Sequence, residues 1–126
     1  TLGLEALSRG ADYADFVESN SILCNVIRSN LMRLKMSTKG TVYNYRIGQT
    51  FRQQKFTYDM VFVDPPYEIT ITRQMIDALT KIINPRGALV LEQSRKQSTV
   101  SVCSELEMFC NKNYGDSQIV IYNKVA

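Results

Sequence analysis

The sequence contains no histidine. That absence removes Ser-His-Asp and Cys-His nucleophilic chemistry, imidazole acid–base catalysis and histidine-ligated zinc. Cysteine is scarce as well: Cys24, Cys103 and Cys110 form no CxxC pair and are odd in number. Such a set builds neither a zinc cage nor a full disulfide framework, and the three read as reduced, mostly buried small hydrophobes. No apolar run approaches the roughly 20 residues of a membrane-spanning helix, and the N-terminus shows no basic-then-apolar secretory segment. The default location is therefore the cytoplasm, with no membrane partner, and any chemistry falls to carboxylates, hydroxyls, backbone groups or a cofactor.

What is present is a chain of 126 residues, 44% apolar, which predicts one globular domain over 1–126 with a real core. The net charge of +3, from 15 basic and 12 acidic residues, is compatible with a polyanionic partner without requiring one.

Apolar Leu4 and Leu7 with small Ala6 predict a short helix over Leu2 to Arg9 that ends on Gly10. Ala14 to Glu18 reads as a buried strand finishing in an acid. Ser19-Asn20-Ser21 offers an N-cap to an amphipathic helix carrying Ile22, Leu23, Val26, Ile27, Leu31 and Leu34, with Arg28, Arg33 and Lys35 on its polar face and Gly40 closing it. Thr41 to Tyr45 is the next strand, and Gln49 to Lys55 a short helix or loop. Met60-Val61-Phe62-Val63 is short and continuously apolar, as in a central parallel strand covered on both faces; Asp64-Pro65-Pro66-Tyr67 stops it, since proline donates nothing to a ladder. Ile71 to Ile83 follows a helical period and ends at Asn84-Pro85-Arg86-Gly87; Ala88 to Glu92 is a further buried strand. Leu106 to Phe109 and Ile119 to Tyr122 flank Gly115 as a β-hairpin. The alternation predicts a Rossmann-like α/β fold: a mostly parallel, doubly wound sheet with an antiparallel C-terminal hairpin. Ligands in such sheets bind beyond the carboxyl ends of strands, which singles out Glu18, Asp64 and Glu92.

Asp64-Pro65-Pro66-Tyr67 is the sharpest signal. An exocyclic amine of a nucleic-acid base is a poor nucleophile because its lone pair is delocalised into the ring. Two acceptors holding both amine hydrogens pull the nitrogen toward tetrahedral geometry and aim its lone pair at an electrophilic methyl. The Asp64 carboxylate and the Pro65 carbonyl, its direction fixed by the prolines, are such a pair, and Tyr67 gives a face on which an extruded base can lie. A sulfonium methyl donor needs no metal. The bland reading is a strand-ending acid, a rigid Pro-Pro turn and a core-covering tyrosine. A Mg²⁺-binding aspartate of a nucleotide hydrolase competes less well, because no Walker A loop is present. Glu18 suits a bidentate acceptor for the two ribose hydroxyls of an adenosine-containing cofactor, against a plain helix-capping acid beside Asn20. Glu92 is a supporting acid, and Arg28, Arg33 and Lys35, with Arg95 and Lys96, are candidates for RNA phosphate contacts, against ordinary solvated faces for most of them.

The residues Thr1 to Ala11, Phe16-Val17-Glu18, Asn30, Tyr58 to Tyr67, Gly87 to Glu92 and Tyr114-Gly115-Asp116 resemble, along the full length, the RsmD family of 16S ribosomal RNA guanine-N2 methyltransferases. The resemblance implies a class I methyltransferase fold with S-adenosyl-L-methionine as cofactor. Its partner would be ribosomal RNA or a small-subunit assembly intermediate. It places Gly3, Glu18, Ser19, Ile47, Gly48 and Asp64 beside the cofactor, and Asp64, Pro65, Pro66 and Tyr67 at the reacting amine. Near Ile47-Gly48 the family sets an Asn or Asp against the adenine; here that contact falls to backbone groups. Against the family pattern the chain starts after the central strand and glycine-rich loop, so an N-terminally incomplete domain is expected. A DNA adenine amino-methyltransferase and a non-catalytic RNA-binding subunit with a methyltransferase fold are the alternatives.

Overall fold

The computed structural model describes residues 2–44, 56–64, 71–97 and 102–125. They fall into two compact units, Thr1–Arg52 and Gln53–Ala126.

The first unit runs α1 (Leu2–Ser8), β1 (Ala14–Glu18), α2 (Ser21–Arg33), β2 (Gly40–Asn44), with β1 and β2 parallel from Ala14↔Gly40 to Glu18↔Asn44. Leu4, Leu7, Phe16 and Leu31 form its core, with Ala14, Ile27 and Val42 packed on it. Gly10 ends α1 as expected: at φ 107 it takes the left-handed conformation that lets the Ala11 N–H reach the Ala6 carbonyl at 3.0 Å. The end of α2 differs from expectation. Gly40 opens β2, and the helix closes at Lys35, a non-glycine at φ 58. There the Met36 N–H donates to the Leu31 carbonyl at 2.8 Å and the Lys35 N–H to the Met32 carbonyl at 3.0 Å, the paired bonds of a Schellman end. The apolar stripe of α2 is also narrower than its period suggests. Cys24 and Leu31 are buried and Ile27 is packed on the core, whereas Ile22 is 72% exposed and Leu23, Val26 and Leu34 also face out. Positions 24, 27 and 31 make one line along the helix, and that line takes the burial.

The second unit contains β3 (Tyr58–Val63), α3 (Arg73–Lys81), β4 (Ile83–Ser94), β5 (Leu106–Tyr114) and β6 (Ser117–Lys124), in the sheet order β3-β4-β6-β5. Among the described residues of this unit only β3 and β4 are parallel; β6 pairs antiparallel with both β4 and β5. Across the described residues two pairings are parallel and two antiparallel, so the mostly parallel sheet is replaced by a parallel pair and a mixed four-stranded sheet. Among the described residues β3 is an edge strand, not a central one, with Met60 52% and Phe62 36% exposed.

Strand β4 alternates strictly: Leu89, Leu91 and Gln93 are buried while Ala88, Val90, Glu92 and Ser94 are half-buried. The buried side, shared with Val63, Val120 and Tyr122, matches the buried Ile76, Leu79 and Thr80 of α3. Desolvation pushes the Tyr122 phenol above its ordinary pKa. Helix α3 starts on Thr72, whose hydroxyl accepts from the Met75 N–H at 3.2 Å. It stops at Lys81 rather than Ile83, and β4 begins before the expected turn residues. Those residues still break the ladder: the register jumps from Tyr58↔Ile83 to Met60↔Ala88, leaving Asn84 to Gly87 bulged with Arg86 at φ 68. Gly87 is required there, since a Cβ would lie 2.8 Å from the Asp59 carbonyl and 2.9 Å from that of Asn84. At the far end of β6 the Lys124 ammonium, whose side chain is 15% exposed, donates to the Thr80 and Ile83 carbonyls at 2.9 and 2.8 Å. It thereby joins the last turn of α3 to the start of β4.

Candidate functional site

In the first unit, Glu18 closes β1 half-buried. Its Oε2 accepts from the Asn20 N–H at 2.9 Å and lies 3.5 Å from the Ser19 hydroxyl. Asn20 is bound twice over, because its Oδ1 accepts from the N–H groups of Ile22 (2.9 Å) and Leu23 (3.2 Å) and caps α2. The Cys24 thiol donates to the Glu18 carbonyl at 3.3 Å. The Asn44 amide, oriented with its nitrogen toward β1, donates to the carbonyls of Ser19 (3.0 Å) and Glu18 (3.1 Å). One carboxylate oxygen is thus fixed, and among the described residues no donor reaches Oε1. The capping and ligand readings of this acid turn out to be compatible.

Gly3 lies within α1 against Phe16, where a Cβ would sit 2.3 Å from the ring Cε1. Its visible role is close packing of helix on strand. A groove lined by Arg28, Met32, Ser37, Gly40 and Thr41 lies at the amino end of β2, the opposite end from Glu18. There the Arg28 guanidinium donates to the Val42 carbonyl at 3.3 Å and the Asn25 side chain at 3.1 Å, so this cation of the helix is engaged in the fold. Ile47 and Gly48 lie outside the described residues.

In the second unit, Asp64 follows the buried Val63 and is exposed. Val63 pairs with Leu91, so Asp64, the residue after β3, lies level with Glu92, which sits inside β4 rather than closing it as expected, since the strand runs on to Ser94. Pro65, Pro66 and Tyr67 lie outside the described residues. Arg95 is exposed just past β4, but its main-chain N–H donates to the Asp116 carbonyl at 2.8 Å and its guanidinium to the Gly115 carbonyl at 3.4 Å. It holds the β5–β6 turn against the end of β4. Lys96 beside it is exposed, its N–H donating to the Ser94 hydroxyl at 3.3 Å.

Sequence reasoning missed two contributors. Asn44 acts across the strand pair, and nothing local marks it. Gln93 is a buried amide within an apolar strand; its Nε2 donates to Gln118 Oε1 and Gln118 Nε2 donates to Asn111 Oδ1, both at 2.9 Å, a chain across three strands. A single polar residue interrupting a buried alternation was its signal. Among the described residues no group of three or more His, Cys, Asp or Glu side chains could hold a metal ion, and no helix is long and apolar enough to cross a membrane.

Acids at the carboxyl ends of parallel strands, alternating with helices, define an α/β fold of the class I methyltransferase kind, the class to which the matching solved structures belong. The family model described as Conserved hypothetical protein 95 matches residues 1–123. The chain belongs to that family, the RsmD family. It is 26% identical over 128 residues to YlbH of Bacillus subtilis, covering 98% of this chain and 70% of YlbH. To ribosomal RNA small subunit methyltransferase D of Haemophilus influenzae it is 27% identical over 106 residues, 80% of this chain and 55% of that protein. A conserved hypothetical protein of Streptococcus pyogenes superposes with TM-score 0.90 at 26% identity, over 98% of this chain and 78% of that one. The chain therefore spans between about half and 70% of the curated relatives named here.

Proposed function

We propose that the protein transfers a methyl group from S-adenosyl-L-methionine to the exocyclic N2 amine of a guanine in 16S ribosomal RNA, in the cytoplasm, within the small subunit or its assembly intermediate. The observation that carries this reading is Asp64. It stands exposed where a parallel strand ends, at the head of Asp64-Pro65-Pro66-Tyr67, in a chain of the RsmD family.

The bound cofactor supplies an electrophilic methyl on a sulfonium. The residues of this chain do the rest. The Asp64 carboxylate and the Pro65 carbonyl accept the two amine hydrogens, so the guanine nitrogen rehybridises and takes the methyl, the carbon–sulfur bonding pair staying on the departing thioether, and the surplus amine proton passes to the Asp64 carboxylate. Tyr67 offers a face for the extruded base. Glu18 fits the ribose, because one oxygen is held by Asn20 and the other takes no donor from the described residues. Ser19 adjoins it, and Gly3, Ile47 and Gly48 complete the proposed cofactor set.

The test is calorimetry with S-adenosyl-L-methionine, together with transfer of labelled methyl to small subunits and to naked 16S RNA, the product mapped to its nucleotide. N2-methylguanine at one position is expected. Cofactor binding without transfer to either RNA form, or label on adenine, overturns the reading.

A further inference from the structure

We infer that the carboxyl end of the four-stranded sheet carries a subsite for a single-stranded RNA segment flanking the target base, with Tyr114 as its stacking platform and Lys112 and Lys96 as its cations. This rests on the RNA reading above and adds a surface to it.

The pairs Phe62↔Val90, Val90↔Ile121 and Ile121↔Cys110 make one row across β3, β4, β6 and β5, on the face turned away from buried Leu89, Leu91 and Val120. The next row on that face holds Glu92, Ile119 and Lys112, and the last holds Ser94, Ser117 and Tyr114. Asp64 lies one step past the Val63↔Leu91 pair, level with Glu92. The candidate catalytic acid and Tyr114 thus share one end of one sheet, three strand spacings across and two residues along, roughly 16 Å apart. That is within reach of a few nucleotides of an extended single strand.

Tyr114 is 57% exposed, although an aromatic ring is stabilised by leaving water. A tight turn fixes its place. Gly115 takes φ 56, Arg95 bonds the carbonyls of Gly115 and Asp116, and the Gln93–Gln118–Asn111 amide chain joins the three strands just behind the turn. A platform already ordered loses little entropy when a base stacks on it. Lys112 shares the Tyr114 face, and Lys96 is exposed beside the turn. Neither ammonium has an ion-pair partner among the described residues. The one acid of the turn is Asp116. An exposed ring between free cations recognises a strand whose bases are unstacked and whose phosphates run alongside.

The test measures anisotropy of a labelled single-stranded RNA of about ten nucleotides, and of the same sequence as a duplex, with the full chain. Tyr114→Leu keeps an apolar side chain suited to a strand and is checked for folding by circular dichroism; Tyr114→Phe keeps the ring. Single-strand binding should fall about tenfold in Tyr114→Leu and stay near wild type in Tyr114→Phe. Lys96→Gln with Lys112→Gln should flatten the salt slope by about 1.4 units. In methyl transfer, Tyr114→Leu should raise KM for RNA and leave cofactor affinity and the saturated single-turnover rate unchanged. Wild-type binding by Tyr114→Leu, an equal loss for duplex, or no binding by the wild type overturns the subsite, even if methyl transfer is intact. Loss of binding in Tyr114→Leu, in a protein that methylates no RNA, leaves the subsite standing and sinks the methyltransferase reading instead.

Discussion

The carboxyl ends of β1 and β3 each carry an acid, but the two are held in different ways. Around Glu18 three donors come from residues no more than six positions away, the Ser19 hydroxyl, the Asn20 N–H and the Cys24 thiol, and Asn44 adds one from β2. Asp64 directly follows the last residue of β3. Its place is set by a ladder running from β3 to β4, on to β6 and then to β5, backed by the buried residues of α3. A ligand-anchoring acid can be ordered by its own loop, whereas an acid that must meet a second large molecule is carried on an extensive rigid surface. Local positioning should tolerate damage elsewhere; ladder positioning should not.

The sharpest way to break the comparison is to remove each acid. Asp64→Ala should lower single-turnover methyl transfer by on the order of 10²–10³ with cofactor affinity intact, since the lost acceptor acts mainly in the transition state. Near-normal transfer would make the Asp64 loop structural. Next come the glycines that pin each unit. Gly87→Ala drives a Cβ against Ile83 Cγ2 at 2.6 Å and two backbone carbonyls, and should cost about 3 kcal/mol in urea unfolding. Gly3→Ala meets only the Phe16 ring, which can turn, and should cost about 1–2 kcal/mol. Equal losses would show that side-chain and backbone neighbours give way alike. Glu18→Ala should weaken S-adenosyl-L-methionine by about 1–3 kcal/mol in calorimetry, as for lost charge-assisted hydrogen bonds, while the saturated transfer rate holds. The smallest effect belongs to Asn20→Ala, which removes the cap of α2 at about 1 kcal/mol and frees Glu18 only indirectly. If it harms cofactor binding as much as Glu18→Ala does, the cap rather than the acid orders the site.

How far the sequence revealed these features follows the same division. Strand β1 from Ala14 to Glu18, the Gly10 stop and the Asn20 cap were legible, because each rests on neighbouring residues. The end of α2 was not: Lys35 accepts a left-handed conformation that the sequence assigns to glycine, and the Gly40 signal pointed five residues too far. Among the described residues β3 lies at an edge of its sheet, which its unbroken apolar run does not reveal, because such a run looks the same whether or not both its faces are covered. Its exposed Met60 and Phe62 record the difference. For the site, the acids were visible as strand ends, while the Asn44 staple and the amide chain from Gln93 needed register, which no local pattern encodes.

The strand order β3-β4-β6-β5 places β6, the last strand described, between two that precede it. During synthesis β4 and β5 leave the ribosome with a seat between them still empty. The four-stranded sheet cannot close until Ser117 to Lys124 arrives, and the Lys124 ammonium reaches the Thr80 and Ile83 carbonyls only at that moment. The surface that carries Asp64 is thus assembled late, after the Glu18 loop has had every residue it needs since Asn44 emerged.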